Sequence, residues 1–409
     1  MSRFLRSALV FGTTCLCGVP LISAAEPSTA VTKPNLLVIT LDTVRADHLS
    51  CNGSRKVQTP QLDRLARGGV NFTRARTSVP LTLPAHASIM TGNYPPVHGV
   101  RDNGSYRLPE EQLALAEVLA GHGYETAAFI GAFVLDREFG IAQGFDVFDE
   151  GDWGDAGTLE NLAAERNADA VRNAFSSWLK GRDGEGPFFA WVHLYDPHAP
   201  YVPPEPFRKR YADNPYAGEI AYTDAVVGKI VADLERRGVL GSTLIAVVGD
   251  HGEGLGEHGE QTHSLLIYNS TLHVPMLLHL PGLVPAGKTI DHLTRTIDLA
   301  PTILDYLGIS QPIGQGTSLR PLVESGSPDE EILAYSESLY ASLNAGWSEL
   351  RGLEAGTHRF ILAPRPELYD LTKDPGEREN HIDLNPTVAD RLRSRLASLM
   401  DSMRGSTGH

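Results

Sequence analysis

Three continuous apolar runs constrain the fold of this 409-residue chain more than any other feature. They cover residues 35–41, 188–194 and 243–249, and a fourth run follows at residues 274–280. Runs without polar alternation are typical of strands that are buried on both faces. Because helical segments alternate with these runs, the pattern predicts an α/β fold with a mostly parallel central sheet sandwiched by helices.

The helical segments show start signals, stop signals and apolar spacing. Thr59 is a candidate N-cap, Pro60 stands at the first helical position, and Gly68 is a stop signal. Residues 109–121 and 218–238 have the apolar spacing of two further helices. We therefore expect helices on both faces of the sheet.

The pattern changes after about residue 325. Short strand-like segments then precede an amphipathic helix at residues 386–400. These segments are residues 331–336, 358–362 and 367–371. We predict a linker at 26–34, a catalytic α/β domain at 35–325, and a C-terminal α+β subdomain at 326–409 with a small antiparallel sheet and one helix.

The first 25 residues have the features of a secretory signal peptide. Arg3 and Arg6 form the positive region, residues 8–22 the apolar stretch, and residues 23–25 a small-residue cleavage site. The apolar stretch is short for a membrane span, and an uncleaved anchor stays an alternative. The prediction is a protein exported to the periplasm or outside the cell, without a stable membrane span.

Charge and cysteine content each exclude one class of protein. The formal net charge is −15 and no basic run occurs, which excludes a nucleic-acid partner that needs clustered Lys and Arg. Cys15 and Cys17 lie in the signal segment, so Cys51 is the one cysteine left after cleavage. The mature chain therefore cannot form an internal disulfide.

Acidic and imidazole side chains follow three of the predicted strands. Asp42 ends the first, Asp196 and His198 follow the second, and Asp250-His251 follow the third. Ligands of open α/β sheets bind outside the carboxyl ends of the strands. An Asp after a strand is also a common turn former or helix cap, so each residue alone has a structural alternative. Together, carboxylates and imidazole suit a divalent cation such as Mn²⁺, Zn²⁺ or Mg²⁺.

Thr82 is the candidate nucleophile of such a site. It immediately precedes a predicted helix at residues 84–90, with Pro84 in the first turn. A bound cation would lower the pKa of its hydroxyl, and the helix N-terminus would favour an arriving anionic group. The alternative role of Thr82 is a helix N-cap.

Five segments in order carry a family resemblance. They are Asn-Leu-Leu-Val-Ile-Thr-Leu-Asp-Thr (35–43), Thr-Pro-Gln-Leu-Asp-Arg-Leu-Ala (59–66), Thr-Leu-Pro-Ala-His-Ala-Ser-Ile-Met-Thr-Gly (82–92), Val-Val-Gly-Asp-His-Gly-Glu (247–253) with its continuation to residue 259, and Glu-Leu-Tyr-Asp-Leu-Thr-Lys-Asp-Pro-Gly-Glu (367–377). With them the chain resembles the sulfatases of the alkaline phosphatase superfamily from Asn35 to about His381. The resemblance implies the same α/β architecture and a metal-dependent ester hydrolase.

The resemblance also implies a metal centre. Its ligands would be Asp42, Thr82, Asp250 and His251, and the cofactor would be one divalent ion: Mn, Zn, Ca or Mg. Thr43 stands where relatives usually have a second Asp. This change favours a transition metal completed by imidazole over an all-oxygen calcium site.

Further site residues follow from the same resemblance. Asn103 falls where relatives place an amide against an oxygen of the transferring group. His198 matches an active-site histidine, and His263 falls near a second expected cationic group. Tyr124 and Thr126 match a pair near the pocket of some relatives, with helix-to-strand packing as the alternative for Tyr124.

The chain departs from the family pattern at the nucleophile and at two positions where the pattern has a cationic side chain. His86 replaces the signature Arg, and Gly131-Ala132 replaces a common Gly-Lys. The signature Cys or Ser is Thr82, and Cys51 lies in a different context, so a formylglycine nucleophile cannot form. An unmodified Thr resembles the phosphodiesterases and phosphoethanolamine transferases of the superfamily.

These residues predict a sulfatase-like hydrolase that cleaves sulfate, phosphate or phosphonate esters through a covalent Thr82 intermediate. Asn103 would stabilise oxyanion charge, and His198 or His263 would protonate the leaving group at a nearly ordinary pKa. The partner would be a small-molecule, glycan or lipid ester. Two alternatives stay open: a transferase that moves a phospho-headgroup to an exported glycan or lipid, and a non-catalytic glycan-binding protein.

Overall fold

The computed structural model describes residues 33–154, 164–184, 186–327 and 330–406. The predicted signal peptide and nearly all of the predicted linker lie outside the described residues. In the described part of the chain, no helix combines the length and the apolar character that crossing a bilayer requires.

Strands and helices alternate along the first three quarters of the chain. The strands are β1 (Asn35–Leu41), β2 (Val70–Arg76), β3 (Glu125–Phe129), β4 (Val147–Asp149), β5 (Phe188–Leu194), β6 (Thr243–Gly249), β7 (His273–Val274), β8 (Met276–His279), β9 (Lys288–Arg295), β10 (Leu333–Ser338), β11 (Leu350–Ala355), β12 (His358–Leu362) and β13 (Glu367–Asp370). The helices are α1 (Pro60–Gly68), α2 (Thr82–Thr91), α3 (Pro95–His98), α4 (Leu115–Gly121), α5 (Ala168–Gly181), α6 (Phe207–Arg210), α7 (Pro215–Arg237), α8 (Asn269–Leu272), α9 (Leu299–Tyr306), α10 (Arg320–Ser325), α11 (Tyr340–Ala345) and α12 (Pro386–Ser406).

Nine strands of the described residues form a mixed, mostly parallel central sheet. Their order is β4-β3-β5-β1-β6-β8-β2-β7, and β9 pairs with the remaining edge of β2. The pairs from β4 to β6 are all parallel, as is β2 with β9, whereas β8 and β7 pair antiparallel to their neighbours. The predicted α/β architecture is confirmed.

Both faces of the central sheet are covered by core. Along β1, Leu36 and Val38 belong to one apolar cluster, while Leu37, Ile39 and Leu41 belong to the cluster on the opposite face. Every residue of β1, β5 and β6 is buried. The three predicted buried strands are therefore confirmed, and the continuous apolar runs follow from burial on two faces.

The fourth apolar run differs from its prediction. It is divided into β7 and β8 by Pro275, which has no N–H to donate to a sheet ladder. The Pro275 carbonyl instead accepts a hydrogen bond from the Gly249 N–H at 2.9 Å. Both pieces run antiparallel to β2.

The predicted start of α1 at Pro60 is confirmed, with Thr59 at the N-cap position. The Thr59 hydroxyl accepts a hydrogen bond from the Ser50 N–H at 3.0 Å and makes no cap for α1. The Asp224 carboxylate of α7 accepts from the Gln61 and Leu62 N–H groups instead. The α4 helix begins only at Leu115, later than its apolar spacing indicates.

The small C-terminal sheet is confirmed, and it has one strand more than the sequence pattern predicts. Its order is β10-β11-β12-β13, all antiparallel, and α12 packs on it. The strand that was not predicted, β11, carries Arg351 and Glu354 within a mixed polar segment. The boundary near residue 325 stays a prediction.

A buried ionic network joins the small sheet to the central sheet. Glu354 of β11 lies 2.7 Å from Arg76 of β2 and 2.5 Å from Arg359 of β12, and Arg359 also pairs with Glu377 at 3.0 Å. Burial alone would raise the pKa of Glu354, but Arg76 and Arg359 lower it to about 2. The network fixes how the C-terminal sheet sits beside β2, and thus where α11 lies.

Candidate active site at the carboxyl end of the central sheet

The register between β1 and β6 brings two carboxylates together. Leu41 is paired with Gly249, so the next residues, Asp42 and Asp250, leave the sheet side by side. Both are fully buried, and with His251 they form a group whose candidate ligand atoms all lie within 4.8 Å of one another. The predicted cluster of acidic and imidazole residues is therefore present.

Each carboxylate has one oxygen that is held by the protein and one that is not. Asp42 Oδ2 lies 3.2 Å from His193 Nε2, and Asp250 Oδ1 accepts from the Thr43 and His251 N–H groups at 3.1 and 2.6 Å. Asp42 Oδ1 and Asp250 Oδ2 are buried without a hydrogen-bond partner. Unpaired buried carboxylate oxygens are costly, and a divalent cation would satisfy both.

Burial and neighbouring carboxylates raise the pKa values of both carboxyls. Burial raises the pKa of Asp42 well above its usual range, and the Glu253 carboxylate raises it further. Burial likewise raises the pKa of Asp250, with Asp42 as the next cause. Two buried acids that repel each other fit a site built for a cation.

His251 has the tautomer of a metal ligand. Its Nδ1–H donates to the Gly252 carbonyl at 3.0 Å, which leaves Nε2 unprotonated with its lone pair toward the cluster. Nε2 lies 3.4 Å from Thr82 Oγ1 and 3.5 Å from Asp250 Oδ2. Burial lowers the pKa of His251 to about 4, so the imidazole is neutral near pH 7.

Thr82 is the first residue of α2, and its side chain points to this cluster. The N-cap position belongs to Leu81, with extended backbone angles and no side-chain cap. Thr82 is buried, and its hydroxyl lies 3.4 Å from His251 Nε2. The alternative role as an N-cap is therefore wrong, and the hydroxyl is available for chemistry.

Asn103 supports the start of the same helix. Its Oδ1 accepts from the Leu83 N–H at 3.0 Å, next to Thr82. Because the carbonyl oxygen is used in this way, the Nδ2 hydrogens are the ones left to donate to another group. The neighbouring Asp102 carboxylate accepts from Asn344 of α11 at 2.9 Å and from the Asn103 N–H.

His86 lies beneath the carboxylates as a neutral side chain. Its Nδ1–H donates to the Thr82 carbonyl at 2.8 Å, and Nδ1 is 3.7 Å from Asp250 Oδ2. Burial, followed by the neighbouring His193, lowers the pKa of His86 well below its usual range. His86 therefore does not supply the positive charge of the Arg that it replaces.

His198 and His263 form a second imidazole cluster beside His251. Ring centroids are 4.4 Å apart for His251 and His263, and 5.1 Å apart for His198 and His263. Burial lowers the pKa of both His198 and His263 to about 4. The expectation of nearly ordinary pKa values is wrong, because the fold removes both rings from water.

Sequence reasoning missed two buried residues, Glu253 and His193, which contact side chains of the site. Glu253 Oε1 accepts from His263 Nδ1 at 3.2 Å, and its Oε2 accepts from the Tyr201 hydroxyl at 2.8 Å. His193 Nδ1 accepts from the Gly131 N–H at 3.2 Å, so its Nε2–H faces Asp42. Glu253 follows His251 by two residues in the motif, which was a usable signal. His193 is hidden inside an apolar run.

Three other candidates lie away from the carboxylates. Asp196 Oδ2 accepts from the Ala168 N–H at 2.5 Å at the start of α5, so the cap explanation holds for it. The Tyr124 hydroxyl donates to the Pro34 carbonyl, at the opposite end of the sheet. The Thr126 hydroxyl donates to the Gly144 carbonyl. A role of Tyr124 and Thr126 near the pocket is therefore wrong.

The backbone after Asp42 is strained in a way that serves the site. Thr43 has a φ of 53°, a value that is unusual for a β-branched residue. Its N–H donates to Asp250 Oδ1, and its carbonyl accepts from the Tyr216 hydroxyl at 2.6 Å. These two bonds hold a conformation that costs about 1–3 kcal/mol and turns the chain away from the cluster.

Comparison with known proteins gives a family for this arrangement. The sulfatase family model matches residues 34–309, which contain the whole cluster. A model of the C-terminal region of N-sulphoglucosamine sulphohydrolase matches residues 256–404.

Individual relatives cover nearly the whole chain. An ulvan-active sulfatase of Formosa agariphila is 27% identical over 97% of this chain and 88% of its own length. A solved complex with D-glucosamine-2-N,6-O-disulfate has a TM-score of 0.77 at 21% identity, covering 92% of this chain and 98% of that one. A phosphonate monoester hydrolase of Agrobacterium radiobacter has a TM-score of 0.76 at 23% identity, covering 90% and 96%. With its match to the family model, the chain belongs to the sulfatase family and is an ester hydrolase of that family.

Proposed function

We propose that this protein hydrolyses sulfate, phosphate or phosphonate esters with the unmodified Thr82 hydroxyl as nucleophile. One observation carries the proposal: Thr82 Oγ1 is buried at the start of α2, 3.4 Å from His251 Nε2 and beside the Asp42 and Asp250 pair. A hydroxyl held next to a cation-binding group is the usual arrangement for activating a weak nucleophile.

The residues present fit one divalent cation. Asp42 Oδ1 and Asp250 Oδ2 have no hydrogen-bond partner, and His251 Nε2 is unprotonated, so these three with Thr82 would hold the ion. When bound, the ion would lower the pKa of the Thr82 hydroxyl and offset negative charge on the ester. Because Thr43 offers no carboxylate, a mixed oxygen and nitrogen set favours Mn²⁺ or Zn²⁺ over Ca²⁺.

In the proposed reaction, the Thr82 hydroxyl gives up its proton to water, and Thr82 Oγ then forms a bond with the sulfur or phosphorus atom as the bond to the leaving alkoxide breaks. Asn103 Nδ2–H stabilises charge on a non-bridging oxygen, with its orientation fixed by the Leu83 N–H. Water then attacks the covalent Thr82 ester. If an acceptor alcohol replaces water, the same protein is a transferase.

We propose that His263, rather than His198, donates a proton to the leaving group. His263 Nδ1 faces the buried Glu253 carboxylate, which would stabilise the imidazolium, whereas His198 Nδ1–H is bound to the Ala199 carbonyl. Both rings are neutral in the free protein, and an arriving anionic ester would raise their pKa values.

The residues of the site constrain the kind of ester less than they constrain the nucleophile. A Thr sulfate ester lacks the carbonyl-hydrate route by which formylglycine releases sulfate, so phosphate and phosphonate esters suit Thr82 better. The phosphonate monoester hydrolase among the structural neighbours is consistent with this choice, and the ulvan-active sulfatase supports sulfate. The intact set of Asp42, Asp250 and His251 speaks against a protein that only binds glycans.

Replacing the nucleophile tests the proposal directly. Thr82→Ala should lower turnover of aryl sulfate, phosphate diester and phosphonate substrates by at least about 10³-fold, because no covalent ester can form. Thr82→Ser should keep measurable turnover, since it retains the hydroxyl. Both variants should unfold near the wild-type temperature because Thr82 makes no cap bond. Undiminished turnover by Thr82→Ala would rule out the assignment.

Metal content separates an enzyme from a binding-only protein. Elemental analysis after loading with Mn²⁺ or Zn²⁺ should find one ion per chain, and Asp250→Asn should weaken binding by at least about 10–100-fold. The matched control is Asp196→Asn, a half-buried Asp after a neighbouring strand that accepts from the first N–H of α5 and should leave the stoichiometry unchanged. A wild-type protein without stoichiometric metal would support the binding-only alternative.

The leaving group should reveal the role of His263. His263→Gln should reduce kcat/KM for alkyl esters by about 10²–10⁴-fold but change it far less for nitrophenyl esters, whose leaving anion needs no proton. Glu253→Gln should show the same preference, while His122→Gln, a control outside the site, should show none. Equal losses for both kinds of ester would contradict this assignment.

A further inference from the structure

A second concave surface lies beside the histidine cluster. It is a cleft of about 590 Å³ between the 258–266 loop and the segment that follows α11. The side chain of Trp347 lines it and is 68% exposed, the second-largest exposure among the large hydrophobic residues of the described chain. The remaining lining residues are His258, Gly259, Glu260, Leu265, Leu266, Ala341, Ser348, Leu350 and Pro364. An indole this open to water has no structural role in the core.

One wall of the cleft continues directly into the proposed active site. Leu265 lines the cleft, and His263, two residues earlier, faces Glu253 and His251. Two residues of chain span at most about 7 Å, so cleft and histidine are neighbours. The Glu260 carboxylate accepts from the Leu265 N–H at 2.7 Å and from the Leu266 N–H at 3.2 Å, which orders this wall.

The opposite wall is attached to the nucleophile side of the site. Asn344 of α11 donates to Asp102, which precedes Asn103. Tyr340, at the start of α11, packs against the small apolar cluster that contains Leu81, the residue before Thr82. The segment that carries Trp347 is thus tied to the loop and helix that position Asn103 and Thr82.

The chemistry of the lining favours an uncharged occupant. None of its residues is Lys or Arg, and most contribute apolar surface. The protein carries a formal net charge of −15, which disfavours a second anionic group near the reacting ester. Polar atoms are still present at Glu260 and Ser348, so the lining combines an apolar plane with hydrogen-bonding groups.

We propose that this cleft binds an uncharged sugar ring of the leaving group, stacked on the Trp347 indole. The inference rests on the proposed function, since a leaving group exists only if the ester is cleaved at Thr82. A pyranose has a C–H face that suits the electron-rich face of an indole, and hydroxyls at its edge that suit the exposed Ser348 hydroxyl. An alkyl chain would match the apolar plane but offer the Ser348 hydroxyl no hydrogen bond.

The test compares substrates that share the ester and differ in the leaving group. The substrates are a methyl ester, whose leaving group is too small to reach the cleft, an uncharged disaccharide with one ester of the same kind, and an octyl ester. Trp347→Ala should lower kcat/KM for the disaccharide ester by about tenfold, mostly through KM, and leave that of the methyl ester unchanged. Leu384→Ala, which removes another exposed apolar side chain away from the cleft, should change none of them.

Equilibrium binding keeps this test independent of catalysis. Isothermal titration calorimetry should detect binding of unesterified hexose and N-acetylhexosamine disaccharides to metal-loaded wild-type protein and to Thr82→Ala, and binding should be lost in Trp347→Ala. If wild-type protein binds the disaccharides but turns over no ester, the result would count against the assignment of Thr82 as nucleophile and not against the sugar subsite. Equal disaccharide turnover and binding in wild type and Trp347→Ala, or an effect confined to the octyl ester, would overturn the sugar subsite.

Discussion

Two carboxylates that are buried side by side set the electrostatics of this protein. Asp42 and Asp250 follow paired residues of adjacent parallel strands, so the sheet register forces them together. In an apolar interior, two like charges at this spacing repel strongly, and burial penalises each of them separately. A bound cation would offset the repulsion between the two carboxylates. The two oxygens without hydrogen-bond partners, Asp42 Oδ1 and Asp250 Oδ2, are the atoms that would contact it. The strained Thr43 donates its N–H to Asp250, and the neutral His251 presents Nε2 to the same site.

Few protein side chains in the site carry a positive charge. The sequence resemblance implies Arg and Lys at the positions of His86 and Ala132, and burial keeps His86, His198 and His263 neutral in the free protein. Recognition of the anionic ester therefore falls on the cation, on Asn103 and on imidazoles that gain protons when the ester arrives. None of the residues that line the Trp347 cleft is Lys or Arg, which is consistent with the proposed uncharged leaving group.

The sequence predicts those parts of the molecule whose cause is local. Continuous burial of β1, β5 and β6 leaves an apolar run, and Asp42 and Asp250 are recognisable because they end such runs. Other features depend on distant partners. Asp224 caps α1 from another helix, and β9 mixes polar and apolar residues beside β2. The low pKa values of the histidines arise from packing, and the Trp347 cleft joins segments about eighty residues apart in sequence.

The central claim is that Thr82 carries the covalent intermediate. The most direct measurement is rapid quenching of metal-loaded protein with an activated nitrophenyl ester, followed by mass spectrometry of the peptides. The account predicts a sulfo, phospho or phosphono group on Thr82 in wild type, and a longer-lived adduct in His263→Gln if that ring also activates the water. An adduct on any other residue, or turnover with no adduct and full activity in Thr82→Ala, would contradict it.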